Sequence, residues 1–568
     1  MRKTNAYFIF FGALAVFALL FFWPLGNVIL KGFTNPDGSF TLEHLIGVFK
    51  NPIYAEGLFN SLRIALGTTT MTIIIAVPLA WLNNRWDYPG KKILSAMVLV
   101  PMILPPFVGA IGFQQMLGQS GAINTLLGLE KDWLADGRYF GVVLLQSLAL
   151  YPIMYLNAAA ALANVDHAMN EAAENMGCHG FAKFRRITLP LIMPGLFAGG
   201  TIIFIWSFTE LGTPLIMNYT RCASVQVFDA LKDIGDSRLS YALVFVMLSC
   251  SVLLYSVSKY LFGRNTFAMT SKAATTYTTE RARGLKGLIV ALPFLSVICL
   301  ALLPHLGVVL TSLSEPGQWY RSVLPAEFTG DNYREALGHS MTVSSIRNSL
   351  TFSSLAVFFN LGFGIAIAFV VVRSTIPGRG LLDALAMIPL AVPGLVMAFG
   401  YLGISTLLSN KAWVKDNDFL LGLFDVRVNP TMFLVIAYAV RRMPYIVRSA
   451  VAGLQQTSAT LEEAAANMGA SPFRSLRRVT LPLITANLIA GALLAFSFSM
   501  LEVSDSLMLA QQAQYYPITK TIYELFQLLG TGKYIAAALG VWAMVFLAVT
   551  IIGSSLLLGK KMGALFRV

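Results

Sequence analysis

The chain has 568 residues, of which 56% are hydrophobic and only 12% are charged. Soluble domains carry roughly 25% charged residues, so this composition excludes a large soluble domain and indicates an integral membrane protein. The formal net charge is +13, and the positions of the basic residues along the chain, described below, explain it without a nucleic-acid partner.

Apolar runs of about 20 residues recur along the whole chain, and each is long enough to cross a bilayer as a helix. Six lie in the first half and six in the second. We therefore predict an all-α integral membrane protein with about twelve transmembrane helices, at residues 7–30, 60–82, 93–117, 140–163, 188–216, 240–262, 286–310, 347–371, 383–407, 431–453, 480–508 and 534–559.

The first apolar run follows Met1-Arg2-Lys3, a beginning that secretory signal peptides share. This run is longer than the ~7–15 residues of a signal peptide and has no small-residue cleavage pattern before Lys31, so we predict an uncleaved transmembrane helix. When the N-terminus is placed in the cytoplasm, the excess of lysine and arginine falls in the inside loops, as the positive-inside rule requires. We expect a multi-pass protein of a bacterial-type cytoplasmic membrane with both termini in the cytoplasm.

One polar segment occurs twice. Glu171–Ile192 reads EAAENMGCHGFAKFRRITLPLI and Glu463–Ile484 reads EAAANMGASPFRSLRRVTLPLI, with 14 identities in 22 positions. Such self-similarity at a fixed spacing indicates an internal repeat. Three further pairs of segments match in the same order: NSLRIALG at Asn60 with NSLTFSSL at Asn348, RWDYPGKK at Arg85 with RSTIPGRG at Arg373, and VPMILPPFVGAIGF at Val100 with IPLAVPGLVMAFGY at Ile388.

The repeat divides the chain into two halves. We place the first repeat at residues 1–262, with its repeated polar loop at 166–190, and the second repeat at residues 286–568, with its loop at 458–482. Residues 263–285, which are polar, threonine-rich and basic, form a cytoplasmic linker. Because each half has an even number of spans, the two repeats are expected to be parallel in the membrane.

The repeated loop predicts a short helix with a small-residue face. Gly177 and Gly469 suit the left-handed conformation that ends a helix, and Phe181 and Phe473 follow as exposed apolar residues of the kind that lie in a partner's groove. In the second copy Thr460 predicts a capping box with the glutamate three residues later. A Leu-Pro pair then begins the next span. The arginine pairs before it, Arg185-Arg186 and Arg477-Arg478, have topology anchors as an alternative interpretation.

These residues resemble the EAA loop of binding-protein-dependent ABC importer permeases. The pattern has Glu-Ala-Ala, then Gly177 after three residues, then Ile187-x-Leu-Pro after nine more, and the second copy departs from it only in having Val479 in place of the isoleucine. The resemblance covers essentially the whole chain and implies the type I importer permease fold. It also implies that the two loops are coupling helices that sit in clefts of two cytoplasmic ATPase subunits.

The resemblance also implies the partners and the solute class. Two copies of an ABC ATPase, which use ATP and Mg²⁺, and an extracytoplasmic solute-binding protein are expected, besides membrane lipid. The fused two-repeat form resembles the ferric-iron permease group, so the expected solute is ferric iron, with thiamine, phosphonate or polyamine as alternatives. The expected ATPase contacts are Glu171, Ala172, Ala173, Gly177 and Phe181 in the first loop and Glu463, Ala464, Ala465, Gly469 and Phe473 in the second.

The chain is not expected to be an enzyme or to bind a cofactor. The segment LLGTGKY ends in the Gly-Lys of a phosphate-binding loop, but Gln527 stands where the first glycine is needed and Tyr534 replaces the serine or threonine. The alternative class is a secondary transporter of the major-facilitator type, which also has twelve spans in two parallel halves. That class does not account for a doubled EAA loop.

Ionisable residues within the spans are candidates for the solute pathway, since such residues are costly in a membrane. Arg441 and Arg442 lie about ten residues into a span, and Glu210 and Glu502 lie at equivalent positions about 20 residues beyond each Leu-Pro, where they should approach the outer surface. Asp505, three residues beyond Glu502, is a candidate as well. Pairing of the two arginines with Glu502 or Asp505 is the alternative interpretation. The acidic residues suit a cation and the arginines suit an anion.

Prolines and cysteines complete the pattern. Prolines in both copies of the third span predict kinks or breaks, which often line a transport route; they are Pro101, Pro105, Pro106, Pro389 and Pro393. The four cysteines have no paired spacing, so the sequence supports neither a disulfide framework nor a cysteine-type metal site, and it does not identify any other metal site.

Overall fold

The structure is a computed structural model of the chain, and it describes residues 3–103, 105–134, 138–165, 167–230, 238–262 and 280–558. The described residues form helices joined by loops, together with one pair of two-residue strands. A helix satisfies its backbone hydrogen bonds internally, which the interior of a membrane requires. The predicted all-α membrane fold is confirmed.

The first half of the chain contains helices α1 to α14. The π-helical turn Ala18–Phe22 joins α1 to α2, and the 3₁₀ turn Val100–Ile103 precedes α6. Strand β1 is Trp86–Asp87. The helices are α1 Lys3–Phe17, α2 Trp23–Gly32, α3 Glu43–Lys50, α4 Pro52–Arg85, α5 Lys91–Met97, α6 Pro106–Leu117, α7 Ala122–Leu127, α8 Tyr139–Ala163, α9 His167–Asn175, α10 Gly180–Lys183, α11 Leu189–Phe208, α12 Gly212–Ile216, α13 Ala223–Asp229 and α14 Arg238–Phe262.

The second half contains strand β2, Glu280–Arg281, and helices α15 to α28. The 3₁₀ turns Ile388–Leu390 and Ala513–Tyr515 precede α19 and α27. The helices are α15 Gly284–Leu313, α16 Asp331–Gly338, α17 Ser340–Arg373, α18 Arg379–Met387, α19 Gly394–Ser409, α20 Ala412–Lys415, α21 Asp418–Phe424, α22 Thr431–Gln456, α23 Thr460–Asn467, α24 Pro472–Ser475, α25 Leu481–Met500, α26 Ser504–Leu509, α27 Ile518–Gln527 and α28 Gly532–Leu558.

Within the described ranges, nine helices are long and apolar enough to cross a membrane, or eleven if two bent helix pairs are each counted as one span. The sequence predicts about twelve. The predicted span at 431–453 is present as helix α22, but its three arginines, Arg441, Arg442 and Arg448, make it too charged to qualify by composition. The difference in number therefore reflects the polarity of one helix.

The third span of each repeat is broken. Lys91–Met102 and Pro106–Leu127 meet at an angle of 100°, and Arg379–Leu390 and Gly394–Ser409 meet at 97°. Pro105 and Pro393 have extended backbone conformations immediately before α6 and α19, because proline lacks the N–H that would continue a helix and restricts the residue before it. The breaks predicted from the prolines are confirmed.

Contacts divide the structure into two compact units that do not follow the order of the sequence. One unit consists of Glu56–Val225 and Ser249–Asn332, so α15 of the second repeat packs among helices of the first. The other contains Met1–Ala55 and Gln226–Leu248 together with the second half from Tyr333 onward, so α1 and α2 pack among helices of the second repeat. The units describe packing, whereas the boundaries at 262 and 286 describe the sequence repeat.

We call α2 and α15 the exchanged helices, because each packs among helices of the other repeat. Each of them meets its neighbour at an equivalent glycine. In the first unit α6 crosses α15 at Gly112, where a Cβ would lie 2.5 Å from the carbonyl oxygen of Pro304. In the other unit α19 crosses α2 at Gly400, where a Cβ would lie 2.9 Å from the carbonyl oxygen of Pro24. Small residues allow two membrane helices to approach this closely. The two repeats therefore use the same contact position for the helix that they receive.

The repeated Asn-Ser-Leu segment is explained by a contact at the beginning of two later helices. The hydroxyl of Ser61 accepts a hydrogen bond from the N–H of Ala223, the first residue of α13, at 2.9 Å. The hydroxyl of Ser349 accepts one from the N–H of Ile518, the first residue of α27, at 2.8 Å. N–H groups at the beginning of a helix have no partner within the helix. These serines supply one in each repeat.

Candidate functional site

The first repeated loop consists of α9, a left-handed turn and α10. The turn is at Gly177, whose φ is +81°. The N–H of Gly177 bonds to the carbonyl of Glu174 at 2.9 Å, and the N–H of Cys178 bonds to the carbonyl of Ala173 at 2.9 Å. This is the Schellman arrangement that ends a helix, and it requires a residue that tolerates positive φ.

The second loop has the same geometry. Gly469 also has a φ of +81°, and its N–H bonds to the carbonyl of Ala466 at 2.9 Å. The N–H of Ala470 bonds to the carbonyl of Ala465 at 3.0 Å. The prediction that Gly177 and Gly469 end the two short helices in the left-handed conformation is confirmed.

The two loops bury and expose equivalent side chains. Ala173 and Ala465 are buried, while their neighbours Ala172 and Ala464 are exposed, as is Glu463. The side chain of Glu171 is not among the side chains that the structure describes. Four apolar side chains are at least 71% exposed: Met176, Phe181, Met468 and Phe473.

Met176 and Met468 are functional candidates that the sequence analysis did not identify. They are 79% and 82% exposed, and each directly precedes the left-handed glycine of its loop. A side chain at the last turn of a helix that ends this sharply has no following turn to cover it. In the sequence, both methionines could have been identified from their position immediately before Gly177 and Gly469.

Each loop continues into the next span without an interruption at the Leu-Pro pair. The π-helical turns Phe184–Thr188 and Leu476–Thr480 join α10 to α11 and α24 to α25, so the continuous helices begin at Gly180 and Pro472. The spans predicted from 188 and 480 are thus the continuation of helices that begin eight residues earlier. A proline ring crowds the carbonyl four residues before it, and a wider π turn relieves that crowding without ending the helix.

The predicted capping box in the second loop is wrong. Thr460 is the first residue of α23 and Ala459 is its N-cap, which offers no side-chain hydrogen bond. The N–H of Thr460 instead donates to the hydroxyl of Ser458 at 3.3 Å. A capping box needs the threonine outside the helix, and the helix begins one residue too early for this.

In the first loop an ion pair crosses the turn. The ammonium of Lys183 lies 2.5 Å from a carboxylate oxygen of Glu174. The hydrogen bond from Lys183 lowers the pKa of Glu174, and the charges of Lys183, Arg85 and His179 act in the same direction. The residues at the equivalent positions of the second loop are Ala466 and Ser475, so this ion pair is specific to the first.

Four of the five candidate pathway residues form one buried ion network between α22, α25 and α26. Arg441 pairs with Glu502 and also with Asp505, the latter at 3.2 Å, and Arg442 pairs with the second carboxylate oxygen of Glu502. The side chains of the two acids are 5% and 0% exposed. Neighbouring helix positions point about 100° apart, but these two arginines converge because Glu502 offers one oxygen to each.

The network has two cations and two anions and is formally neutral. Neutralisation is essential in this environment, because an unpaired charge in a membrane or a protein interior is costly. Two polar atoms in it, Nε of Arg442 and Oδ1 of Asp505, are buried without a hydrogen-bond partner. The two arginines are thus paired with the acids, as the alternative interpretation predicted, and Glu502 is buried between helices.

Glu210, the equivalent of Glu502, has different partners in the other unit. Its carboxylate accepts from the N–H of Thr213 at 2.8 Å, in the first turn of α12, and from the side-chain amide of Gln146 at 3.4 Å. Ala149 and Leu150 occupy the positions of the two arginines. The repeats therefore share an acid at this place but differ in its partners, which are arginines for Glu502 and neutral groups for Glu210.

Residues 69–266 and residues 360–556 each match the family model described as the binding-protein-dependent transport system inner membrane component. A ferric transport system permease protein of Actinobacillus pleuropneumoniae is 24% identical over 525 residues, which cover 88% of this chain and 71% of the relative. A provisionally named ferric transport permease of Haemophilus influenzae is 25% identical, over 88% and 77% of the two chains. A provisionally named molybdenum transporter permease of Haloferax volcanii is 28% identical, over 40% and 86%.

The family match agrees with the repeat in the sequence and with the duplicated loop geometry. It covers more than half of the chain and occurs once in each half. The chain therefore belongs to the inner membrane components of binding-protein-dependent transport systems, the permeases of ABC importers.

Proposed function

We propose that this permease forms the solute pathway of an ATP-driven importer and couples to two cytoplasmic ATPase subunits, one at each repeated loop. The observation that carries the proposal is that the two loops have the same shape. Both have the same left-handed turn, and each presents a methionine and a phenylalanine that are more than two-thirds exposed. Two equal apolar surfaces suit a partner that binds as a pair.

The proposed partner supplies the chemistry that this chain does not. ATP and Mg²⁺ are used by the ATPase subunits, and this chain binds no cofactor. An extracytoplasmic binding protein delivers the solute. In this arrangement both termini and both loops lie in the cytoplasm, and the membrane is the cytoplasmic one. A reporter protein that is active only in the cytoplasm should therefore be active when it is fused to either terminus.

The test is affinity purification of the tagged chain from mildly crosslinked native membranes, with the copies of each partner counted. We expect two ATPase subunits per chain and one binding protein. Phe181→Asp with Phe473→Asp should remove the ATPase but keep the binding protein, because a charge does not fit an apolar groove. A chain recovered without any ATPase under all nucleotide conditions would contradict the proposed coupling at the two loops.

We propose ferric iron as the solute. Support comes from the two ferric transport relatives, which align with 88% of this chain. Thiamine, phosphonate or polyamine import by the same machine are the alternatives, and the molybdenum relative illustrates that similar permeases carry other names. Uptake of radiolabelled ferric iron by cells that produce the complete transporter, together with the ligand of the co-purified binding protein, distinguishes these solutes.

For the pathway itself, we propose that Glu210 contacts a cationic solute and that the network of Arg441 and Arg442 does not. The network is internally neutral, whereas the Glu210 carboxylate accepts hydrogen bonds from neutral groups of Thr213 and Gln146. Glu210→Gln should lower ferric uptake while the amount of assembled transporter stays unchanged. Undiminished uptake in that variant would contradict this assignment.

A further inference from the structure

Equivalent arginines end the second span of each repeat. Arg85 is the last residue of α4, and Arg373 is the last residue of α17. They head the matching segments RWDYPGKK and RSTIPGRG, 288 residues apart. Their partners nevertheless differ, and the difference concerns how each repeated loop is held.

Arg373 contacts the second loop directly. Its Nε donates to a carboxylate oxygen of Glu462 at 3.1 Å, and its Nη2 donates to the carbonyl of Thr457 at 2.9 Å. Glu462 lies in the first turn of α23, and Thr457 is the C-cap of α22. The side chains of Arg373 and Glu462 are 12% and 23% exposed, so water screens the pair only partly. One guanidinium thus joins the ends of α17, α22 and α23.

The first loop differs from the second at this position. The position that corresponds to Glu462 is Asn170, which is neutral. Arg85 instead pairs with Glu280 at 3.2 Å, the residue with which the described part of the linker begins. Glu280 lies in β2, which pairs in parallel with β1 directly after Arg85.

The end of the linker is fastened at further points. The N–H of Ala282 donates to the carbonyl of Asp87 at 2.9 Å. The ammonium of Lys286 lies 3.8 Å from the ring centroid of Trp86, a close cation–π contact. Gly287 lies so close to Pro89 that a Cβ would be 2.9 Å from its Cδ. The segment from Glu280 to Gly287 therefore forms a clamp on the cytoplasmic end of α4, which we call the linker clamp.

Two observations connect the linker clamp to the first loop. The guanidinium of Arg85 stacks on Trp81 at 5.6 Å, and the ring of Trp81 packs edge-on against Phe184 at 6.3 Å. Phe184 begins the π turn that follows the loop. In addition, Arg85 lies near enough to α9 for its charge to help lower the pKa of Glu174. Glu280, Arg85, Trp81 and Phe184 thus form a continuous series of contacts.

We infer that Arg373 and Glu280 are positioning residues for the two loops: the second loop is held directly by Arg373 through Glu462, whereas the first is held indirectly by the linker clamp through Arg85. The inference rests on the proposed function only in treating these loops as ATPase docking sites. Its consequence is that the two sites are not equivalent. Loss of the ion pair between Glu280 and Arg85 therefore alters the first site alone.

The test measures each loop separately in the full-length chain, without any partner. A spin label is placed at Met176→Cys or at Met468→Cys in a background whose four cysteines are replaced by alanine, and the chain is placed in lipid nanodiscs. Glu280→Arg should make the electron paramagnetic resonance spectrum of the label at position 176 that of a more mobile label. The spectrum of the label at position 468 should not change. Glu462→Arg should do the reverse. Equal effects on both labels, or no effect of Glu280→Arg at 176, would overturn the inference.

Charge exchange provides the control for general damage to the fold. Arg85→Glu combined with Glu280→Arg, and Arg373→Glu combined with Glu462→Arg, should each restore the immobile spectrum of the affected label. Arg281→Glu, which changes the charge of the exposed neighbour in β2, should have no effect on either label. Failure of both exchanges to restore the spectrum would contradict the two ion pairs as the cause.

Binding of the ATPase is then measured by crosslinking from the same two positions. Reduced crosslinking only from position 176 in Glu280→Arg, and only from 468 in Glu462→Arg, is the expected result. If the loops respond selectively in the label experiment but no ATPase binds even the unaltered chain, the proposed function is wrong while the inference about the loops stands. If the ATPase binds normally and both sites respond equally, the inference is wrong and the proposed function stands.

Discussion

The guanidinium of Arg441 lies directly against Gly394, the first residue of α19, so that a Cβ on this glycine would overlap Nη1. The broken third span of the second repeat and the buried ion network therefore meet at one point. Arg441 cannot move aside freely, because the same guanidinium pairs with Glu502 and Asp505. In the first repeat the corresponding residues are Pro106 and Ala149, and this contact does not arise.

We expect Gly394→Ala to destabilise the protein by about 1–3 kcal/mol, the usual effect of overpacking a filled interior. The added methyl group must displace Arg441 from its two acids. The measurement is the unfolding temperature in detergent. Gly362→Ala in α17 is the control, because nothing lies within 4 Å of the added Cβ and alanine is favoured over glycine in a helix by about 0.5–1 kcal/mol. Equal stability of the two variants would contradict this account of Gly394.

Replacing Glu502 or its equivalent Glu210 by glutamine should lower the free energy of unfolding by different amounts. Glu502→Gln leaves Arg441 and Arg442 with one carboxylate between them, and removing one partner of a buried pair costs about 3–5 kcal/mol. Glu210→Gln removes the charge but keeps a side-chain carbonyl oxygen that can still accept from the N–H of Thr213, so we expect a loss no larger than that of a lost helix cap, about 0.5–2 kcal/mol. Denaturant or thermal unfolding of the purified variants measures both. A larger loss from Glu210→Gln would show that the ion network is not what stabilises this region.

Both loops should lose function when their glycines are replaced by proline. Gly177→Pro with Gly469→Pro removes two N–H groups that bond within the turns, and proline cannot adopt a φ of +81°. We expect normal insertion into the membrane and no solute uptake. Gly38→Pro is a matched control, since Gly38 also has positive φ and a bonded N–H but lies outside the loops. Normal transport by the double variant would exclude these loops as coupling elements.

The crossings of the exchanged helices should be sensitive to a single methyl group. We expect Gly112→Ala to destabilise more than Gly400→Ala, because the nearest carbonyl oxygen, that of Pro304, lies 2.5 Å from the added Cβ, whereas the one at Gly400, that of Pro24, lies 2.9 Å away. Backbone atoms cannot turn aside as a side chain can. The yield and unfolding temperature of the two variants test the order, and a reversed order would contradict it.

Much of the fold follows from the sequence because its causes are local. The prolines of the third spans remove hydrogen-bond donors wherever they occur, so the breaks before α6 and α19 were predictable. Gly177 and Gly469 follow helical segments at the position where positive φ is needed, and the structure has that conformation at both. Arg441 and Glu502 carry opposite charges within spans, which is sufficient to predict pairing as one alternative.

Other features depend on a single residue of register or on distant contacts. The cap predicted at Thr460 required the helix to begin one residue later than it does. The π turns before Leu189 and Leu481 leave no trace in hydropathy, because a wider turn changes the phase of a helix and not its composition. The continuous helix Lys3–Gly32 and α15 are the first span of each half, but nothing in the sequence states which half each of them packs against.

The exchange of α2 and α15 has a consequence for the order of synthesis. Gly400, the contact of α2, is made 368 residues after Gly32, the last residue of α2 (400 − 32 = 368). At about 5–20 residues per second, α1 and α2 remain in the bilayer for roughly 20–75 s before their final neighbour emerges. During this time their contact surface faces lipid. A ribosome that stalls between Leu313 and Gly394 would therefore leave the unit that contains α2 without α19, whereas α15 of the other unit would already have been made.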